Sequence, residues 1–373
     1  MKIGFITDSY PPNIGGAEIS AQKIAEGVAQ RNNEVTVITT NAKDDFPFDS
    51  KLNANSIIRI KVPNFIQRFW FLFFSFFAIL KHCRRTDILH GTSYGGVLQT
   101  FIASRIMKKP AVVTIHEFMG KRWNRFAPNL VSAYFFRAAE KIFSLLPFDR
   151  FIAVSNYTKK CLIEAGIDER KITVIYNGES DLLIEPLTDK SLIRKELNIG
   201  AGKFVFAMYG RTGLTKGFEY VVDALQTLMQ KIPEAYFLLI LSPGDRNIYR
   251  RISRTIKSLN SDRILFYPSL ERGKVINYIN ASDVVIIPSL SEGFGFTTLE
   301  ACMLKKIVVA SSAGSIPEVI SGNHILIKPG DKEAIVDGCM MAYEGRYESK
   351  EKINFDWNDS VDRYIKIYQD VLN

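Results

Sequence analysis

Little in this chain commits it to a specialised class. Its four cysteines, Cys83, Cys161, Cys302 and Cys339, lie far apart with no C-x-x-C pair, which argues against a disulfide framework and against a zinc site. Reduced thiols in the cytosol are the simplest account. No apolar run reaches the ~20 residues that a membrane-spanning helix needs. The N-terminal apolar run stops at Asp8, too early for a secretory signal, so a cytoplasmic chain is expected. There is no short internal repeat and no low-complexity tract. Nothing resembles a nucleic-acid module, so no nucleic-acid partner is expected. Neither G-x-G-x-x-G nor G-x-x-x-x-G-K-[ST] occurs, which removes the dinucleotide fingerprint and the Walker loop.

What is present is an ordinary globular composition, 47% hydrophobic and 23% charged over 373 residues. One hydrophobic core stops growing at roughly 250–300 residues, so two domains are expected. The net charge of +9 favours phosphorylated substrates or an anionic membrane surface.

The most informative stretch is Pro288-Ser289-Leu290-Ser291-Glu292-Gly293-Phe294-Gly295-Phe296-Thr297-Thr298-Leu299-Glu300-Ala301. The apolar run Asp283 to Ile287 before it reads as a buried strand, and Leu299 to Leu304 as the start of a helix. A strand, a glycine-bearing loop and a helix offer free N–H groups at the positive end of a helix dipole, which suits phosphate. Gly293 and Gly295 let backbone approach a ligand. Glu292 and Glu300 cannot both face phosphate without repulsion, so at least one should accept hydrogen bonds from hydroxyls. A ligand with central phosphates and hydroxyls at both ends, such as a nucleotide sugar, fits. Taken alone, the stretch has an ordinary reading too, since such loops are common and helical glutamates are usually solvated.

Elsewhere, strands alternate with helices, which implies parallel sheets covered on both faces. Lys2 to Thr7 reads as a strand, Pro11, Pro12, Gly15 and Gly16 as its loop, and Ala17 to Gln30 as a helix. Asp87 to His90 reads as a strand entering a glycine-rich loop, Gly91 to Gly96. Ala111 to Ile115 is a strand ending at His116, where ligands bind in open α/β sheets; an idle loop histidine is the plainer alternative. The composition loosens between Asn177 and Asp189, the expected linker. The pattern then restarts with Lys203 to Tyr209 and the turn Gly210-Arg211-Thr212-Gly213-Leu214-Thr215-Lys216-Gly217. An arginine fork and a lysine point charge around such a turn suit a diphosphate, and a basic surface turn is the alternative.

Together these residues resemble a family. Glu292-x7-Glu300, Gly210-Arg211-x4-Lys216-Gly217, Pro11-Pro12-x2-Gly15-Gly16-Ala17-Glu18, Val154-Ser155-Asn156-Tyr157-Thr158 and Ile175-Tyr176-Asn177-Gly178 are similar to the retaining family-4 glycosyltransferases, over nearly the whole chain. The resemblance implies an α/β GT-B fold, with two Rossmann-like doubly wound domains facing a central cleft. Residues 1–180 would form the acceptor domain and 181–355 the nucleotide-sugar domain, with a helix over about 356–373 crossing back to the first. Arg211 and Lys216 would hold the diphosphate and stabilise the leaving group. Glu300 would bind ribose and Glu292 would lie near the transferred sugar. Gly210 and the Gly293-Phe294-Gly295 backbone would contact the donor, and Gly16 would approach its phosphates. His116 would line the acceptor side. Retention by a front-face path fits, because no strong protein nucleophile stands out.

Two departures, Ser242-Pro243-Gly244-Asp245 and the absence of glycine near Pro268, lie near the expected base site and leave UDP-sugar and GDP-sugar both open. Asp-x-Asp is missing, so no metal or other cofactor is expected, and the two cations do the work of a metal. The expected acceptor is a lipid-linked or cell-envelope glycan hydroxyl, as in polysaccharide biosynthesis. Another GT-B enzyme (an epimerase or a phosphorylase) and a non-catalytic binding subunit are the alternatives. Within the segment Phe65 to Leu80 the run Phe69 to Leu80 is apolar except for Ser75, with Arg68 before it and Lys81, His82, Arg84 and Arg85 after it. Such a segment is either buried on all sides or dips into an anionic membrane surface as a peripheral contact.

Overall fold

The structure is a computed structural model that describes residues 1–12, 15–40, 56–63, 67–179 and 186–373, with backbone alone at 67–69 and 93. Phe65 and Ile66, and the expected linker between 180 and 185, lie outside the described residues. The chain divides into two compact units, Met1–Gly178 with Phe355–Asn373, and Glu179–Asn354.

The first unit contains, in chain order, β1 (Lys2–Thr7), α1 (Gly16–Gln30), β2 (Glu34–Thr40), β3 (Ser56–Ile60), α2 (Gln67–His82), β4 (Ile88–Thr92), α3 (Ser93–Met107), β5 (Ala111–Ile115), α4 (Trp123–Phe126), α5 (Leu130–Leu145), β6 (Arg150–Ala153), α6 (Asn156–Glu164) and β7 (Ile172–Val174). Its seven strands are ordered β3-β2-β1-β4-β5-β6-β7, and every pairing is parallel. Strands covered on both faces need apolar side chains throughout, which is why they read as runs such as Ile88-Leu89 and Val112-Val113 rather than as alternations.

One sheet face buries α1 and the C-terminal helix, whose Val361, Tyr364, Ile367 and Tyr368 pack among Ile3, Phe5, Ile24 and Val28. The other face buries α2, α3 and the strand-facing side of α5. The expected loop Gly91 to Gly96 is a correction: Gly91 and Thr92 end β4, and α3 begins at Ser93 with no loop. The glycines serve packing instead, since a Cβ on Gly96 would strike the Ile6 carbonyl oxygen. The family-like pieces at Ser155 and Asn177 also have structural duties here. Ser155 caps α6 by accepting from the Thr158 N–H at 3.0 Å. Asn177, in the expected linker, is buried and accepts from the Ser20 hydroxyl at 2.7 Å.

In α2, Phe71, Ser75 and Ile79 are buried, whereas Phe73, Phe74 and Phe77 are exposed, Phe77 by 77%. The helix is therefore not enclosed on all sides: a narrow stripe meets the core and the opposite aromatic face is open. Among the described residues no helix is long and apolar enough to cross a membrane.

The second unit runs α7 (Lys190–Glu196), β8 (Phe204–Arg211), α8 (Phe218–Lys231), β9 (Ala235–Ser242), α9 (Arg246–Leu259), β10 (Ile264–Tyr267), α10 (Arg272–Ala281), β11 (Val284–Ile287), α11 (Phe296–Met303), β12 (Ile307–Ser311), α12 (Ile316–Val319), β13 (Gly322–Ile327), α13 (Lys332–Tyr343) and β14 (Glu348–Lys350), and the first unit closes with α14 (Trp357–Leu372). The strand order is β10-β9-β8-β11-β12-β13-β14, parallel except for β14. The helix after the glycine loop begins at Phe296, three residues before the expected Leu299, because Gly295 at φ 96° takes the cap position that most side chains avoid. In both sheets the winding reverses beside the first strand, between β1 and β4 and between β8 and β11. Doubly wound sheets bind ligands just beyond the carboxyl ends of the strands at that point.

Candidate active site

In the second unit the reversal brings two loops together, one leaving β8 at Arg211 and one leaving β11 at Ile287. The backbone ties them: the Leu290 N–H donates to the Thr215 carbonyl at 2.7 Å. Gly217, at φ 65°, lets the first loop turn into α8 against the second, for a Cβ there would meet the Pro288 carbonyl. A third loop, after β12, is held by the Ser315 N–H, which donates to the Glu292 carbonyl at 3.0 Å.

Lys216 and Glu292, 76 positions apart, meet here with Nζ and Oε2 2.8 Å apart. The Ser289 hydroxyl donates to the same carboxylate oxygen at 3.2 Å. Arg211 lies at the end of β8 with an exposed side chain. Gly210, just before it, is paired with Leu241 in the sheet. Phe294 is buried with its ring edge-on to Phe296 at 5.1 Å, so the Gly293-Phe294-Gly295 turn is anchored by an aromatic contact.

Glu300, on the second turn of α11, is 5% exposed. One of its oxygens accepts from Arg272 Nη2 at 2.7 Å and the other from the Tyr209 hydroxyl at 2.8 Å. Burial, with the Glu300 charge beside it, holds the Tyr209 phenol well above its ordinary value, so it remains a donor. The carboxylate is thus fixed in place, with Arg272, half exposed, offsetting its charge. Tyr209 and Arg272 were not among the residues expected from the sequence. Tyr209 directly precedes Gly210-Arg211, which is a signal of sorts. Arg272 opens a helix 28 positions before Glu300, in a stretch with no motif.

The first unit places Gly16 at the first turn of α1, behind the Gly15 cap. Glu18, in the same first turn and buried, accepts from the Ser9 hydroxyl at 2.9 Å. His116, just past β5, has Nε2 2.8 Å from Thr92 Oγ1 at the end of β4. Burial pulls its pKa down to about 4, against the opposing pull of Glu18, so the ring is neutral near pH 7. Thr92 is a further polar neighbour that no motif marked, whereas Glu18 closes the Pro11-Pro12-x2-Gly15-Gly16-Ala17-Glu18 stretch without having been expected at the site.

Two family models match the chain: Glycosyltransferase Family 4 over residues 14–179, and Glycosyl transferases group 1 over residues 189–354. The chain is 24% identical to an uncharacterized glycosyltransferase of Methanocaldococcus jannaschii, over 100% of this chain and 99% of that protein. It is 29% identical to the UDP-Gal:alpha-D-GlcNAc-diphosphoundecaprenol alpha-1,3-galactosyltransferase of Escherichia coli, over 68% of this chain and 63% of that protein. Among solved structures it is similar to Anabaena HepE in complex with UDP-glucose, with a TM-score of 0.76 and 21% identity, covering 99% of this chain and 100% of that one. It is also similar to sucrose-phosphate synthase from Thermosynechococcus elongatus, with a TM-score of 0.80 and 19% identity, covering 99% and 98%.

Proposed function

The chain is a family-4-like glycosyltransferase of the GT-B fold, and from that premise we propose that it moves a sugar from a UDP- or GDP-sugar to a hydroxyl of a lipid-linked or cell-envelope glycan, with retention and without a metal. The observation that carries this reading is the cluster at the β8–β11 reversal. Arg211, Lys216, Glu292 and an immobilised Glu300 stand around the start of a helix, where a nucleoside diphosphate would meet cations and N–H groups and its ribose a carboxylate. The Escherichia coli and Anabaena relatives, by name a UDP-galactose transferase and a UDP-glucose complex, support a UDP-sugar donor. The former, whose acceptor is a diphosphoundecaprenol, also supports a lipid-linked one.

In the proposed reaction the bond between the anomeric carbon and the phosphate oxygen breaks through an oxocarbenium-like state. The acceptor oxygen bonds to that carbon on the face the phosphate leaves, and its proton passes to the departing phosphate oxygen. Arg211, Lys216 and the α11 N-terminus oppose the charge that grows on the diphosphate. The Gly293-Phe294-Gly295 backbone, with Glu292 beside it, contacts sugar hydroxyls, and Glu300 accepts from the ribose. In the first unit Gly16 offers backbone to phosphate, and neutral His116 exchanges hydrogen bonds with a hydroxyl on the acceptor side rather than carrying charge. The open aromatic face of α2, with Lys81, Arg84 and Arg85 after it, would rest on an anionic membrane surface, on the cytoplasmic side.

The test is a panel of UDP- and GDP-sugars with a polyprenyl-diphosphate glycan acceptor, followed by nucleoside-diphosphate release and by NMR of the new glycoside, with and without EDTA. The expected outcome is an α-glycoside from an α-linked donor at a rate EDTA leaves unchanged. A β-glycoside overturns retention. A rate abolished by EDTA and restored by Mg²⁺ or Mn²⁺ overturns metal independence. A donor epimerised or phosphorolysed with no glycoside formed overturns the transferase reading of the site.

A further inference from the structure

Helix α5 is built inside out. Its fully buried positions are small or polar, Ala133, Glu140 and Ser144, and Phe143 packs part-buried against the apolar cluster under the sheet. Its large apolar residues Leu130, Val131, Tyr134, Phe135, Ile142 and Leu145 are between 55% and 80% exposed. At 3.6 residues per turn these six share one arc of about 140°. The only charged residue on that arc is Lys141, whose amine reaches off it to the Ala165 carbonyl at 2.9 Å. A water-facing surface of this kind is costly unless something apolar covers it.

The charge around the arc indicates what covers it. Between Phe118 and Phe148 the sequence carries Lys121, Arg122, Arg125, Arg137 and Lys141 against a single acid, Glu140. That acid is turned away: its carboxylate accepts from the Tyr94 hydroxyl at 2.6 Å and the Met119 N–H at 3.0 Å, and from the Gly120 N–H. The segment therefore offers apolar side chains and cations and no exposed carboxylate. Helices α2, α3 and α5 also contribute to one apolar cluster beneath the same sheet face, through Phe71 and Ile79, Val97 and Ala103, and Phe143. Their outer sides consequently look the same way. The exposed Phe74 and Phe77 of α2 and Ile106 of α3 extend the surface, and Lys81, Arg84 and Arg85 extend its basic margin. A second copy of the chain seated face to face would oppose these like charges. An anionic bilayer complements them.

We propose that α5 is an interfacial anchor, whose outward apolar arc enters the headgroup region of an anionic bilayer while the surrounding cations bind its lipid phosphates. The proposal rests on the membrane-surface reading given above for α2, and it assigns the insertion to a different helix. Vesicle flotation tests it, using phosphatidylcholine with phosphatidylglycerol and phosphatidylcholine alone. The native chain is compared with Val131→Gln/Phe135→Gln/Leu145→Gln and with Phe73→Ser/Phe77→Ser. Each large apolar side chain withdrawn from water adds to binding, so the α5 triple variant should lose at least about tenfold in bound fraction. The α2 variant should keep a measurable part of it.

A separate Phe135→Trp variant, which leaves the arc apolar, should show its added emission quenched by brominated lipid. Each variant should melt like the native chain and release nucleoside diphosphate from donor at the native rate without vesicles. That last measurement reports on the transferase reading independently of flotation. An α5 variant that floats like the native chain overturns the anchor and leaves α2 as the contact. A native chain that does not float overturns both membrane readings. A native dimer that the α5 changes dissociate makes the arc a subunit interface and overturns the lipid assignment. So does added emission from the Phe135→Trp variant that brominated lipid leaves unquenched.

Discussion

Lys216 and Glu292 neutralise one another across 2.8 Å, so a diphosphate that binds Lys216 must share it with a carboxylate or displace that carboxylate. Arg211, exposed at the end of β8, meets no such competition from Glu292. Both cations are expected to act on the leaving group, where losing one preorganised donor costs about 10²–10³ in rate. Arg211→Ala and Lys216→Ala should each lower kcat by that order with an unchanged melting curve. Near-native turnover in both would remove the diphosphate assignment. Glu300 should behave differently, because a ribose is held equally in ground and transition states. Glu300→Gln should raise the KM for donor with kcat nearly unchanged. Arg272→Ala and Tyr209→Phe, which remove the donors that hold its two oxygens, should shift KM the same way by less. A fall in kcat at constant KM would place Glu300 at the reacting centre instead.

Helix α14 illustrates how an element can be tied to a sheet by a buried polar chain. His90, fully buried in β4, has Nδ1 2.6 Å from the Tyr368 hydroxyl and Nε2 2.8 Å from Thr114 Oγ1, which is 3.1 Å from the Tyr364 hydroxyl. Burial, with His116 adding to it, pulls the His90 pKa from 6.5 to about 3. The native state therefore keeps this ring neutral where the unfolded chain takes up a proton. Well above pH 6.5 neither state is protonated and the linkage vanishes. As pH falls from 6.5 towards 3 the unfolded state is favoured, by up to about 1.4 kcal/mol per pH unit for one group. His116, lowered to about 4, acts in the same direction over a shorter range. Urea midpoints between about pH 7 and pH 5 should fall less steeply in His90→Asn than in the native chain, whatever its absolute stability. Equal slopes would show that His90 is not kept neutral.

For the whole molecule, the two units differ in how the chain builds them. The second is one continuous segment, Glu179–Asn354, and the first needs residues from both ends of the chain. Expressed alone, 179–354 should unfold cooperatively. At a hundredfold excess over Kd, UDP or GDP should stabilise it by about 2.7 kcal/mol. A 1–178 fragment should fail to melt cooperatively, because without α14 it exposes Ile3, Phe5 and Val28 and strands His90. A peptide of 355–373 should restore it in trans. Loss of nucleotide response in a folded 179–354 fragment would show that this unit alone does not hold the donor.

The sequence by itself determined the alternation of strands and helices, the restart of the pattern near residue 203, and the chemical character of Arg211, Lys216, Glu292 and Glu300. These are local matters: buried parallel strands must be apolar, and glycines and charges cluster where loops meet helix starts. Which groups touch was decided only by the tertiary structure. Lys216 reaches Glu292 because β11 lies beside β8 in the sheet, and Arg272 and Tyr209 reach Glu300 from other elements. No local pattern encodes a strand order. The same limit explains Gly91 to Gly96, where glycine reads as a loop but serves a helix pressed against β1. It explains α2 and α5 as well, because an apolar run has the same composition whether it faces a core or solvent, and only the packed sheet shows which side is left open.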